Sequence, residues 1–278
     1  MRTILSTTLL VLLFAQIGLA QVQYSAEKYQ SYLQWFNFHL NGEEDRLISF
    51  LANTPVYERP DTRSNVIAHL DLGEAIIETP AQDKVMITEV VNGFRDTWVK
   101  ISICDEKRHY HYAYVWKGHL AKNWQYYDID NDGELELIAL GTTSQTRTGN
   151  DHVAAELRVI ENKQIKSSVQ LPGFCLFEDC SSNSLLRIMN VGTQLKVFEA
   201  SVYTQGSLSG IDKALVIWEN DQLRLVHRAE FITGTEYQND PVYYQHNNTV
   251  RVCHYKGENE TFDPVWNCKI MDTTVAVP

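Results

Sequence analysis

Short runs of alternating hydrophobic and polar residues occupy most of this chain, and turn-forming residues separate them. Ala52 to Tyr57, Asn65 to Leu70, Ala75 to Thr79, Val85 to Val91, Thr97 to Ile103 and Tyr110 to Trp116 each read as a strand. A period of two puts one set of side chains on one face and the other set on the opposite face. Gly73 breaks the pattern, and Asn92-Gly93 is a strong two-residue hairpin signal because both residues tolerate positive φ. Strands this short, with turns this regular, predict a small antiparallel barrel over residues 47–121. Ahead of it, Tyr29, Tyr32, Leu33, Trp35 and Phe36 fall at helical spacing. They predict a short amphipathic helix within 21–46, ending near Asn41-Gly42.

Residues 122–278 read as a larger all-β unit with an internal echo. Ala155 to Ile165 recurs in kind as Ala214 to Leu223, about 58 residues later. Each copy is a strand, a polar turn and a return strand, at an offset where repeated β-blades are sought. The alternative is chance similarity between two hairpins. The unit opens on an acidic run with Asp128, Asp130 and Asp132 at alternate positions, then Gly133, Glu134 and Glu136. Alternating carboxylates can converge on one cation where a glycine permits the sharp turn, with a backbone carbonyl and a last carboxylate completing the site. An EF-hand would need Glu at position twelve, where Ala139 stands, and a helix after the loop. The residues that follow look instead like a strand. The segment resembles the Asp-x-Asp-x-Asp-Gly-x-x-Asp loops of FG-GAP and related propeller repeats, with Glu136 in place of the last Asp. That resemblance implies calcium held by the side chains of Asp128, Asp130, Asp132 and Glu136 and by the carbonyl of Glu134. The competing reading is an acidic turn that holds no metal.

The region 47–121 also carries a resemblance. Thr54-Pro55-Val56-Tyr57-Glu58-Arg59-Pro60-Asp61 with Ser64 is followed by Ile67-Ala68-His69-Leu70 and Leu72-Gly73-Glu74. Trp98-Val99-Lys100-Ile101 and Tyr114-Val115-Trp116 come next, before Leu120. The order is similar to that of bacterial SH3-type (SH3b) domains, although Ala113 replaces a glycine of the family and 81–95 lengthens a loop. The resemblance covers roughly a quarter of the chain. It implies a binding module of exported proteins, and its groove would have Tyr57, Trp98, Tyr114 and Trp116 as aromatic walls. The alternative for each is core packing, for Trp98 above all. The fold class expected is therefore all-β, a small SH3-like barrel plus a larger β-sandwich or propeller-like fragment, with a short N-terminal helix. Only a short hop joins Trp116 to Trp124, so the two units should pack rigidly, with the metal near their junction.

The remaining features narrow the role. Arg2, the apolar run Leu9 to Ile17 and Gly18-Leu19-Ala20 read as a signal peptide over 1–20, too short to span a bilayer. Gln21 follows the cut, where a lipid anchor would need Cys. Secretion or a periplasmic location is expected, with no membrane span. Net charge is −11, from 35 acidic and 24 basic side chains, which argues against a nucleic-acid partner. Of five cysteines, Cys175 with Cys180 and Cys253 with Cys268 are expected bridges in an oxidising compartment, leaving Cys104 over. His109 and His111 share a strand face but have no third metal ligand at recognisable spacing. None of the common hydrolase or phosphate-binding motifs occurs, so no catalytic residue is assigned. The expected role is recognition of a peptidoglycan peptide, a glycan or an envelope protein. The alternatives are a cell-envelope hydrolase or its accessory subunit, and a structural or adhesive surface protein.

Overall fold

The computed structural model describes residues 46–79, 86–104, 110–143, 155–178, 181–191, 195–204, 209–233, 242–246, 249–258 and 264–270. The expected signal peptide and N-terminal helix lie outside them. The described residues are almost wholly strand and turn, in several antiparallel sheets. A single 3-10 turn, Lys117–His119, is the helical exception among them.

The first half builds two sheets. Strands β1 (Arg46–Ile48) and β4 (Ala75–Ile77) pair with each other. Strand β1 has no strong alternation of its own, and the sequence reading did not foresee it. Strands β2 (Thr54–Tyr57), β3 (Val66–Leu70), β5 (Thr88–Val91), β6 (Phe94–Cys104) and β7 (Tyr110–Trp116) form a five-stranded sheet in the order β3-β2-β7-β6-β5. Its inward side chains, Val56, Ala68, Leu70, Val99, Ile101, Ala113 and Val115, make one core with Ile76 and Leu120. The hairpin β5–β6 turns on Asn92 and Gly93, both at positive φ (53° and 86°).

The second half is a run of meanders. Strands β8 (Asn123–Tyr127), β9 (Glu136–Thr142), β10 (Ala155–Glu161) and β11 (Gln164–Leu171) form one four-stranded sheet. Strands β12 (Ser181–Val191), β13 (Leu195–Thr204), β14 (Ser209–Glu219) and β15 (Gln222–Thr233) form the next. Strands β16 (Val242–His246), β17 (Thr249–Glu258) and β18 (Pro264–Ile270) form a three-stranded third. The sheets stack. First strand lies by first strand, β8 by β12 and β12 by β16, and last by last, β11 by β15. The seam between the first two is sewn by side chains. Asn123 Nδ2 donates to the Ser184 carbonyl at 3.2 Å, Ser184 Oγ to the Lys122 carbonyl at 3.1 Å, and the Leu223 amide to Ser167 Oγ at 2.9 Å.

Sequence pattern explains the stack. Strand β9 is buried along its whole length. Its even residues, Ile138 and Leu140, join the core shared with β10 to β15, whereas Leu137 and Ala139 join a second core under β1 and β4. A strand buried on both faces reads as a continuous apolar run, as Leu137 to Leu140 does. Strand β14 does the same one layer on. Ala214, Val216 and Trp218 face the first meander, and Leu215 and Ile217 meet Val250 and Val252 of β17. The echoed segments are the hairpins β10–β11 and β14–β15, the last two strands of successive meanders, with turns at Asn162-Lys163 and Asn220-Asp221 all at positive φ. Cys253 and Cys268 face each other in the β17–β18 register and form a disulfide. Cys175 is also disulfide-bonded, and Cys180 lies outside the described residues.

Burial shifts two ionisable side chains in opposite directions, Glu74 and His119. Glu74, 1 % exposed, accepts the Asp71 amide on Oε2 at 2.8 Å and leaves Oε1 without a partner. Burial pushes its carboxyl up to about 7. Its folded pKa lies above the unfolded one, so its contribution is full below about pH 4.5 and is lost as pH rises through about 7, at a cost on the order of 3 kcal/mol. His119 runs the other way: burial holds it down at about 4, so its share is lost as pH falls below 6.5. The difference between wild type and Glu74→Gln isolates the first effect. From pH 5 to pH 8 the variant should gain on wild type by about 2 to 3 kcal/mol in urea unfolding. Parallel pH profiles would refute the assignment.

Candidate metal centre and the buried aromatic cluster

The acidic loop joins β8 to β9, and its last carboxylate is the first residue of β9. Two residues of left-handed conformation shape it, Asn131 at φ 64° and Gly133 at φ 92°. Backbone amides fold onto the carboxylates: Gly133 donates to Asp128 at 3.2 Å, Asp132 to Asp130 at 3.2 Å and Glu134 to Asp132 at 2.7 Å. The Ile129 amide donates to Glu136 Oε2 at 2.8 Å. Asp128, Asp130 and Glu136 each offer an oxygen within 4.8 Å of the others, and this group could hold a metal ion.

The electrostatics of the group are unbalanced. Glu136 is fully buried, and its Oε1 has no hydrogen-bond partner. Asp128 Oδ1 is likewise buried and unpartnered. A buried carboxylate oxygen without a partner is costly, and a cation between the two would satisfy both. Burial raises the Glu136 carboxyl above its ordinary range, with the Ile129 amide opposing. Asp130 is held low by the Lys166 ammonium, which bonds it at 2.8 Å and reaches Glu161 at 2.9 Å. The other two predicted ligands stand apart. Asp132 and Glu134 are exposed and group with Glu161. The five residues therefore divide between two carboxylate groups. Glu161 and Lys166 were missed in the sequence because both lie on the neighbouring hairpin, about 30 residues away. Lys196 also anchors the loop, donating to Asn131 Oδ1 and to the Tyr127 hydroxyl, both at 3.1 Å. Beside the loop lies a cavity of about 220 Å³, lined by Glu134, Glu136 and Glu161 together with Leu72 and Gly73.

The expected groove walls are placed differently. Tyr57, Trp98 and Trp116 are 8 %, 7 % and 3 % exposed and belong to one aromatic cluster, with Tyr114 packed against it. Phe177, from the segment between β11 and β12, belongs to the same cluster. Its ring stacks on Phe94 with centroids 4.2 Å apart and lies 5.7 Å from Trp116. These walls face a side chain of the same chain instead of an open groove. Nothing in the local sequence around Phe177 announces this, since the contact joins residues about 80 positions apart. His111 is exposed on β7, and His109 lies outside the described residues.

No family model, curated protein or solved structure matches the chain.

Phe177→Ala should cost about 3 to 5 kcal/mol in chemical unfolding, the usual loss for an emptied aromatic site. It should also red-shift the tryptophan emission as Trp98 and Trp116 meet water. A loss below about 1 kcal/mol with unchanged emission would mean that Phe177 is not a core residue.

Proposed function

We propose that this chain is an exported, non-enzymatic binding protein that recognises a peptide, glycan or protein of the cell envelope, its β scaffold braced by calcium. The leader-like N-terminus, the bridged cysteines and the SH3b resemblance support the setting. The observation that carries the brace is the pair of buried, unpartnered oxygens, Asp128 Oδ1 and Glu136 Oε1, on two carboxylates that group with that of Asp130. An all-oxygen donor set suits a hard cation such as calcium over zinc or copper. Because Glu136 opens the most buried strand, an ion there would tie the loop to the core of the stack.

Recognition then falls to surfaces that Phe177 leaves free. Met86, Ile87, Val90 and Tyr112, on or leading into the five-stranded sheet, are exposed. Apolar and aromatic area of this kind is what protein interfaces use.

Two measurements test the reading. Saturating calcium should raise the melting temperature over EDTA by roughly 5 to 10 °C, from ligand linkage at about a hundred times the dissociation constant. Glu136→Gln and Asp130→Ala should each remove that difference. An identical melt with and without calcium would end the brace. Separately, the purified chain should be retained by peptidoglycan sacculi or by a component of envelope extract. Retention by neither, or muropeptide release from the sacculi, would count against a binding role.

A further inference from the structure

A second site lies where the five-stranded sheet meets the first two meanders. There a cavity of about 260 Å³ is lined by Asp96, Lys117, Lys122, Glu178, Asn183 and Ser184, among others. Several structural units contribute: β6 supplies Asp96, the 3-10 turn supplies Lys117, the connector before β8 supplies Lys122, the segment carrying Phe177 supplies Glu178, and β12 supplies Asn183 and Ser184. At its centre the Lys122 ammonium is bonded to Asp96, with side chains only 9 % and 3 % exposed. Lys122 also donates to the Lys117 carbonyl at 3.1 Å. The other Asp96 oxygen accepts the Thr97 amide at 2.9 Å. Asp96 is thereby satisfied on both oxygens.

The wall is left with one donor and one acceptor in want of partners. An ammonium has three N–H donors, and among the described residues Lys122 spends two. Glu178 Oε2 is buried at the cavity and has no hydrogen-bond partner. Ligand chemistry follows from this pair. An anion would answer Lys122 and leave Glu178 orphaned. An amine would do the reverse. A molecule bearing both answers both, and the lining itself is balanced, with Lys117 and Lys122 against Asp96 and Glu178. The volume lies below the roughly 300 to 1,000 Å³ of sites for drug-sized ligands, so the occupant is small.

We propose that this cavity binds a small zwitterion, an amino acid or short peptide terminus, with its carboxylate on Lys122 and its ammonium on Glu178. The buried Lys122–Asp96 pair fixes the ammonium in advance, so little ordering is needed on binding. Burial pushes the Lys122 ammonium down from the usual lysine range; Asp96 and, more weakly, Glu178 oppose that shift, and Lys117 adds to it. The site needs neither the calcium loop nor an envelope partner, so the earlier reading and this one can fail separately.

The test is calorimetric titration of the full chain with glycine, alanine and alanyl-alanine, and with acetate and methylamine as half-ligands. At least one zwitterion should bind saturably, at least tenfold tighter than either half-ligand. Glu178→Gln should weaken that binding tenfold or more, as loss of a charged hydrogen-bond partner does, and leave the β circular-dichroism spectrum unchanged. Lys122 is kept intact, because removing it would strand Asp96 as a buried unpaired charge. No zwitterion binding up to about 10 mM, binding matched by acetate alone, or binding untouched by Glu178→Gln would overturn the proposal.

Discussion

Strand β9 is covered on both faces, and the architecture hangs on that burial. One face belongs to the core of the two four-stranded meanders and the other to the core beneath β1 and β4. Each buried Leu or Ile side chain there is worth about 1.5 to 3 kcal/mol relative to exposure. The two cores therefore cannot separate without exposing a strand that has no polar face. The fit is close at Gly141, where an added Cβ would sit 2.5 Å from the Phe50 ring. Arg158 completes the same layer, donating to the Phe50 carbonyl at 2.6 Å while its guanidinium lies 4.1 Å from the Phe50 ring centre.

Polar chemistry gathers at the edges of this apolar stack. Glu136 stands at the foot of β9, so the acidic loop inherits the rigidity of the strand it precedes. Lys122 stands just before β8, where the five-stranded sheet, the connector and the Phe177 segment converge. In both places a charged group is held by backbone that packing has already fixed, which is the condition for a preorganised site. The Phe177 segment links the two halves, because its ring joins the aromatic cluster of the five-stranded sheet.

Strand Tyr110–Trp116 was legible from alternation to the residue, and the Asn92-Gly93 and Asn162-Lys163 turns from their composition, because turn and strand preferences act over two to seven neighbouring residues. The Cys253–Cys268 bridge was legible for the same reason, as a short hairpin brings its two ends opposite each other. Strand β1 was not legible. Its three residues gain their conformation from β4, nearly thirty positions on. Burial of the aromatic cluster was not legible for a related reason: Tyr57, Trp98 and Trp116 look the same in sequence whether they await a ligand or pack with Phe177.

Composition and local pattern thus specified an all-β chain, its turns and a loop rich in oxygen donors, since each depends on residues close in sequence. They did not specify which carboxylates would converge. Asp128, Asp130 and Glu136 form one group and Asp132 and Glu134 another with Glu161, while Lys166 of the neighbouring hairpin bonds both Asp130 and Glu161. The pairing of Lys122 with Asp96, and the open oxygen of Glu178 beside it, likewise exist only once three distant segments meet. Long-range packing decides such encounters, because the free energy that forces them comes from burying the apolar faces between them and not from the polar residues themselves.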